Sequence, residues 1–362
     1  MPLSADESSR ADYTFSARLL HRLALGLPSV SKASFDIDGL FHDNHQKPEK
    51  GGHVFICGLA RVGTTILMRT FYQTGQFRSL TYRDMPFVLM PRIWRQLAKT
   101  FYKAGTPRHR VQGDRIIIDY DSPEAFEEVF WRTYAGRNYI LDDQLIPHVV
   151  DEELIQRFRL YVGRIISSTA NVEQNRYLSK NNNNILRLPS IRKAFPNSLV
   201  IVLFRDPIQQ AASLWEQHNQ FCKRQRNDKF SYDYMRWLGH HEYGLTHKPF
   251  YFGADERNFK GVQTPDDFNY WLDLWVRTYS YLLNTEPKSS VFVCYEDLCN
   301  SSEETVSSLF ELSELPIEAV TDTSGFMLPV TKKINEADAE LENTALEIYG
   351  ELRRKGAERL QI

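Results

Sequence analysis

No stretch of this sequence approaches the roughly 20 consecutive apolar residues that a membrane span needs. The first residues, MPLSADESSRADYTF, carry early acids and no apolar core, so they do not read as a secretory signal. Cysteine is scarce. Cys57, Cys222, Cys294 and Cys299 show neither CxxC spacing nor the density of a disulfide scaffold, and reduced thiols in a cytoplasmic protein are the expectation. An excess of one charge is missing too. The 44 Lys and Arg stand against 46 Asp and Glu, and a net charge of -2 does not suggest nucleic acid as a partner. There is no internal repeat, and the run Asn181 to Asn184 is too short for a disordered tract. Metal-ligand spacing is absent: His240, His241 and His247 lie in a polar segment without matching Cys or acids, and no metal is expected.

What is present is ordinary globular composition, 42% apolar and 25% charged, over 362 residues. Periodicity predicts a helix over Phe15 to Leu25, a short strand at His53 to Cys57 and a helix over Thr64 to Thr74. Ser122-Pro123-Glu124 reads as a helix start, and Asp151 to about Ser167 as a long helix. Leu199 to Phe204 is continuous and β-branched, as a strand covered on both faces should be, and helix resumes by Gln209. Thr264 to Asp267 opens a helix, Val291 to Tyr295 is a third strand, and Ser301 to Glu304 carries a capping-box pattern. Strands alternating with helices predict a three-layer α/β fold, a central parallel sheet with helices on both faces. Residues 1–50 read as a helical and polar extension packed on the core, and 51–362 as one domain. Within it, about Phe221 to Thr264 is polar, irregular and glycine-containing, an insertion or lid.

Gly58-Leu-Ala-Arg61-Val-Gly63-Thr64-Thr65 falls between a predicted strand and a predicted helix. Two glycines five residues apart let successive N–H groups turn toward an anion, and the helix start adds its own N–H groups and dipole. Thr64 and Thr65 supply hydroxyls, and Arg61 a planar fork for phosphate or sulfate oxygens. The spacing is that of the nucleotide-binding P-loop, but Thr64 stands where that motif has Lys. No strand ends convincingly in the acid that helps hold Mg²⁺ for phosphoryl transfer. The loop binds a phosphate-like group and lacks parts of an ATPase.

A second anion site is predicted at Arg205, at the carboxyl end of the central strand, with Ser213 eight residues on. A ligand with phosphates at both ends of one nucleoside needs two such sites.

These segments resemble the sulfotransferases that use 3′-phosphoadenosine 5′-phosphosulfate (PAPS). GLARVGTT, Gly58 to Thr65, is similar to that family's 5′-phosphosulfate loop, and FRDPIQQAASLW, Phe204 to Trp215, to its 3′-phosphate motif. Cys294-Tyr295-Glu296-Asp297-Leu298 is similar to its late Tyr-Glu-Asp-Leu segment, and the likeness runs from about His53 to Leu312. The resemblance implies a sulfotransferase with PAPS as donor and a hydroxyl or amine acceptor, a small molecule or a glycan. It implies that Arg61, Gly63, Thr64 and Thr65 hold the 5′-phosphosulfate, that Arg205 and Ser213 hold the 3′-phosphate, and that Tyr295 lies either near the nucleoside or in the core. Lys180, in Tyr-Leu-Ser-Lys-Asn, matches a Lys that touches the leaving oxygen in some relatives, and Asp84 matches an acid that serves as general base. Ala60 and Val62 depart from the family's Pro and Ser, and Arg83 beside Asp84 equally suits an ion pair. Two readings of other classes stay open: a P-loop kinase using ATP and Mg²⁺, and a non-catalytic nucleotide- or polyanion-binding protein.

Two basic stretches, Arg83 to Arg115 and Lys223 to Arg226, suit either solvated helix faces or attraction of an anionic acceptor. His218 is the one histidine kept as an acceptor-side candidate.

Overall fold

The computed structural model describes residues 15–40, 51–101, 108–109, 117–118, 120–169, 171, 173–253, 264–285, 290–316, 323–334 and 337–361. Its strands are β1 (Val54–Cys57), β2 (Phe77–Arg78), β3 (Arg108–His109), β4 (Ile117–Ile118), β5 (Arg176–Lys180), β6 (Leu199–Phe204) and β7 (Val291–Cys294). Five of them form one sheet in the order β2-β5-β1-β6-β7, every pair parallel. β3 and β4 make a separate antiparallel pair. The helices are α1 (Phe15–Gly26), α2 (Pro28–Leu40), α3 (Thr64–Gln73), α4 (Pro91–Phe101), α5 (Glu128–Tyr139), α6 (Glu152–Ser167) and α7 (Leu188–Ala194). There follow α8 (Pro207–Asn227), α9 (Lys229–Leu238), α10 (Phe268–Thr285), α11 (Tyr295–Asn300), α12 (Ser302–Leu312) and α13 (Ala339–Leu360).

Side chains alternate across a strand, and here both faces are apolar, so the sheet separates two cores. Phe55, Tyr177, Val200, Val202, Phe204 and Phe292 face the larger one, built with α5, α6, α8, α10 and α13. Val54, Ile56, Leu178, Ile201, Leu203 and Val293 face the other, closed by α3, α11 and α12. This is the three-layer parallel arrangement the alternation of elements predicts.

Some boundaries differ from the sequence reading. The helix expected from Ser122 begins only at Glu128. Pro123 instead bridges to Thr81, and Glu124 N donates to the Leu80 carbonyl at 3.0 Å, because Ser-Pro suits an extended bridge as well as a helix start. The helix after Thr264 begins at Phe268, and Tyr295 opens α11 instead of closing β7. The segment expected to be irregular from Phe221 is helical as far as Leu238, through the end of α8 and all of α9. Phe221, Cys222, Gln225, Met235 and Leu238 are buried at helical spacing, and Asp228 caps α9 by accepting from Phe230 N at 3.1 Å. Part of that segment, 254–263, lies outside the described residues.

Candidate active site

The loop after β1 turns on backbone that L-residues seldom adopt: φ is 69° at Arg61 and 90° at Gly63. Its early carbonyls are held from one side. Gln210 Nε2 donates to the carbonyls of Leu59 (3.3 Å) and Ala60 (3.1 Å), and Trp275 Nε1 fixes that amide by donating to Gln210 Oε1 at 3.0 Å. Tyr279 accepts from Leu59 N at 3.4 Å and donates to the Leu203 carbonyl at 2.8 Å. With its carbonyls engaged, the loop has N–H groups left to offer a ligand. The N-terminus of α3 adds more, since no side chain caps it at Gly63. Thr64 and Thr65 are buried in that first turn.

The two anion motifs meet. Arg61 Nε donates to Ser213 Oγ at 3.2 Å across a sequence separation of 152. Arg205, 8% exposed, extends from the end of β6, with its guanidinium 5.8 Å from the Tyr295 ring centroid and its Nε 3.7 Å from Glu296 Oε1. Tyr295 covers the loop: a Cβ at Gly63 would overlap its ring, so only glycine fits there. The Tyr295 hydroxyl donates to the Met327 carbonyl at 3.1 Å. The same stretch continues to Lys332, whose N–H donates to Gln209 Oε1 at 2.8 Å. On the other flank of β1, Lys180 closes β5 opposite Ile56 in register, and its Nζ is 3.7 Å from Glu124 Oε1, both side chains buried. Lys180 and Arg205 thus stand at the carboxyl ends of the two strands that flank β1, where ligands bind in open α/β sheets.

Asp84 is elsewhere. It is fully buried, accepting from Arg78 Nη2 on both oxygens (3.0 and 2.9 Å), from Thr81 N (2.7 Å) and from Thr81 Oγ1 (3.0 Å), with Arg95 Nη1 3.6 Å away. Its neighbour Arg83 pairs with Asp121, through bonds of 2.8 and 2.7 Å. The carboxylate beside Lys180 is Glu124, which the sequence offered only as a helix-start acid.

A narrow cleft, part of it open to solvent, runs past Leu59 and Ala60 of the loop. Asn182, Asn183, His241 and Glu242 supply much of its polar lining. The His241 Nδ1 lies 2.8 Å from the Thr246 carbonyl. A carbonyl only accepts, so Nδ1 carries the proton and Nε2 the lone pair. Burial holds the His241 pKa below its ordinary value, against the hydrogen bond to Thr246, and the ring is neutral. His218 is bound differently: it accepts from Gly244 N at 3.2 Å and its Nε2 is 3.4 Å from Cys222 Sγ. Among the described residues no group of three potential metal ligands converges.

The profile of the family described as "Sulfotransferase family" matches residues 53–249, a span that contains both anion motifs. The chain belongs to the sulfotransferase family. That membership gives its activity class, sulfuryl transfer. Among solved structures the sulfotransferase is similar to sulfotransferase STF1 from Mycobacterium tuberculosis, at 13% identity over 91% of this chain and 83% of that one, TM-score 0.46. It is also similar to sulfotransferase STF9 from Mycobacterium avium, at 13% identity over 94% and 81%, TM-score 0.46. A retinol dehydratase solved with retinol and PAP is similar at 13% identity over 84% and 82%, TM-score 0.28. No curated sequence matches the sulfotransferase.

Glu124, Glu242, Gln210 and Tyr279 were missed in the sequence. Gln210 alone had a local signal, lying one helical turn before Ser213 on α8.

Proposed function

We propose that this sulfotransferase binds PAPS across the loop and the ends of β5 and β6, and passes its sulfuryl group to a hydroxyl or amine of a small acceptor. The observation that carries the reading is the 3.2 Å contact of Arg61 with Ser213, which joins a phosphate loop to a second anion site. The residues fit the donor: an uncapped helix start with left-handed backbone before it, a ring over Gly63, and a buried guanidinium beside that ring.

When bound, PAPS supplies the sulfuryl group: the acceptor oxygen or nitrogen forms a bond to sulfur as the bond from sulfur to the 5′-phosphate oxygen breaks. The electron pair stays on that phosphate, where Lys180 and the loop N–H groups stabilise the growing charge. Arg61, Thr64 and Thr65 hold the 5′ end, and Arg205 with Ser213 holds the 3′-phosphate, the group that distinguishes this donor from ATP. Glu124 orients Lys180 through their buried pair. We give the acceptor proton to His241 Nε2, because this neutral imidazole lines the cleft beside Ala60. Asp84 has a different part in this reading, holding the chain between β2 and α4 through Arg78. Four free cysteines support a reducing, cytoplasmic location, and among the described residues no helix is long and apolar enough to cross a membrane.

Thermal unfolding with 3′-phosphoadenosine 5′-phosphate (PAP), and separately with ATP and Mg²⁺, tests the donor assignment. Saturation at a hundred times Kd adds about 2.7 kcal/mol, which is a rise of about 2–4 °C or more for a domain of this size. A rise with PAP that Arg205→Ala removes is the expected result. A rise with ATP and Mg²⁺ alone overturns the reading in favour of a kinase.

A further inference from the structure

The cleft beside the loop has an unusual polar inventory: several of its buried groups are hydrogen-bond acceptors without donors. Asn182 Nδ2 donates to Glu242 Oε1 at 3.1 Å, and Asn183 Nδ2 donates to the Gly239 carbonyl at 3.2 Å. Because a carboxylate and a carbonyl accept only, both amide orientations are fixed, and each Asn turns its Oδ1 away from the partner its amide nitrogen has found. Those oxygens, Asn182 Oδ1 and Asn183 Oδ1, are buried and have no hydrogen-bond partner. The side chains themselves are sequestered, with Asn182 6% and Asn183 1% exposed. Glu242 Oε2 is in the same position, buried and unpartnered beyond its own residue's N–H. All three residues line one cleft.

Glu242 is ionised. Burial alone would raise its pKa, but the charge and hydrogen bond of His240, with a contribution from Lys180, outweigh that and hold it at about 2. The His240 ring meets Oε1 at 3.3 Å, the oxygen that Asn182 also uses, so Oε2 is the one left open. The cation in the lining, Lys248, is committed elsewhere, donating to the carbonyls of Leu141 (2.7 Å) and Asp142. His241 adds the Nε2 lone pair described above. Leaving buried acceptors without donors is costly, and a site that does so gains most from a ligand that brings donors. Water would satisfy some of these lone pairs. The remaining lining, Leu59, Leu145, Leu214, Phe250 and Leu274, gives water nothing to bond and suits an apolar body.

We propose, resting on the functional reading above, that this cleft takes the sulfuryl acceptor and that Glu242 with Asn182 and Asn183 selects its class. That class is a small, largely apolar alcohol that also presents hydrogen-bond donors, best of all a protonated amine apart from the accepting hydroxyl, and it excludes anions. An anionic glycan would set its own charge against Glu242, and Lys248, the cation in the lining, is already engaged with the Leu141 and Asp142 carbonyls. The cleft is too narrow for a polymer chain lying lengthwise, and a small acceptor enters from its solvent-open side.

The test uses the full chain saturated with PAP and three probes of nearly one shape: tyramine, p-ethylphenol and p-hydroxyphenylacetate, with binding followed by calorimetry. Tyramine binds tightest, p-ethylphenol about tenfold more weakly and p-hydroxyphenylacetate about a hundredfold or more, since a buried charge that loses its partner costs at least this much. Glu242→Gln brings tyramine and p-ethylphenol within about threefold of each other and leaves the affinity for PAP as it was. The wild-type series stands by itself if that variant does not fold. Equal binding of all three probes, or a preference for the acid, overturns the proposal. So does the absence of tyramine and p-ethylphenol binding while PAP binds, and that pattern leaves the donor site intact. Absence of PAP binding overturns both readings, and the titration of PAP alone separates this case from the others.

Discussion

The donor side and the acceptor side of the loop are built from opposite hydrogen-bonding chemistry. Around the donor, the groups on offer are cations and N–H groups: Arg61, Arg205, Lys180 and an uncapped helix start, with the loop's early carbonyls tied back by Gln210. Around the cleft they are lone pairs: Glu242, two asparagine oxygens and a neutral imidazole. The two faces share Leu59 and Ala60 as a partition. On the proposed reading the difference keeps two substrates apart, since an anion would be held on one side and repelled on the other. Two buried carboxylates make the same contrast. Asp84 has both oxygens hydrogen-bonded and acts as a bolt, whereas Glu242 keeps one oxygen open.

The sharpest way to break the comparison is Lys180→Met. The loss of one group that neutralises developing charge should lower kcat by about a thousandfold while PAP affinity changes far less. If kcat, measured with PAPS at saturation, stays within about tenfold of wild type, Lys180 only partners Glu124. Next comes Asp84→Asn. Breaking a buried ion pair should cost about 3–5 kcal/mol of unfolding free energy, read by denaturant titration, with kcat of the folded enzyme unchanged. A collapse of kcat at full stability would return Asp84 to the chemistry. Arg205→Ala should weaken PAP by about a hundredfold or about 3 kcal/mol, with the binding of adenosine 5′-phosphate nearly unaffected. An equal loss for both nucleotides would mean that Arg205 does not read the 3′-phosphate.

Acid should destabilise the fold through two buried histidines. Burial draws His247 down to about 3, and burial with the charge of Arg187 draws His148 to about 3. Unfolded, both titrate near 6.5, so below that pH the unfolded chain binds more protons than the folded one. Their contribution is complete above about pH 6.5 and is lost as pH falls toward 3, by up to about 1.4 kcal/mol per unit for each. The unfolding temperature should therefore drop steadily between pH 6.5 and 5. A flat profile would mean that neither ring is held neutral. Above that range kcat/KM should also stay level, because the lowered pKa of His241 keeps its lone pair available.

The donor half was legible because its chemistry is local. A strand, a glycine turn and a helix start lie within twenty consecutive residues, and their order alone fixes a concave row of N–H groups. Arg205 could be read in the same way, as the residue after a continuous apolar strand. The acceptor half was not legible, because its members come from separate segments. Asn182 meets Glu242 across 60 residues, and on the donor side Lys180 meets Glu124 across α5 and α6. Asp84 matches the family's acid by position alone, and position does not show that its partners are Arg78 and Arg95 or that Arg83 turns to Asp121. The amphipathic spacing of α9 sits in a stretch whose polar residues and later glycines read as irregular, and burial of Met235 and Leu238 decides for helix.

By itself, then, the sequence determined the parallel three-layer sheet, the loop and the pair of anion motifs, since strand alternation, glycine dihedrals and helix dipoles act over a few residues. Tertiary structure decided which carboxylate is filled and which is open, because a buried lone pair is satisfied only by whatever distant segment folding brings against it.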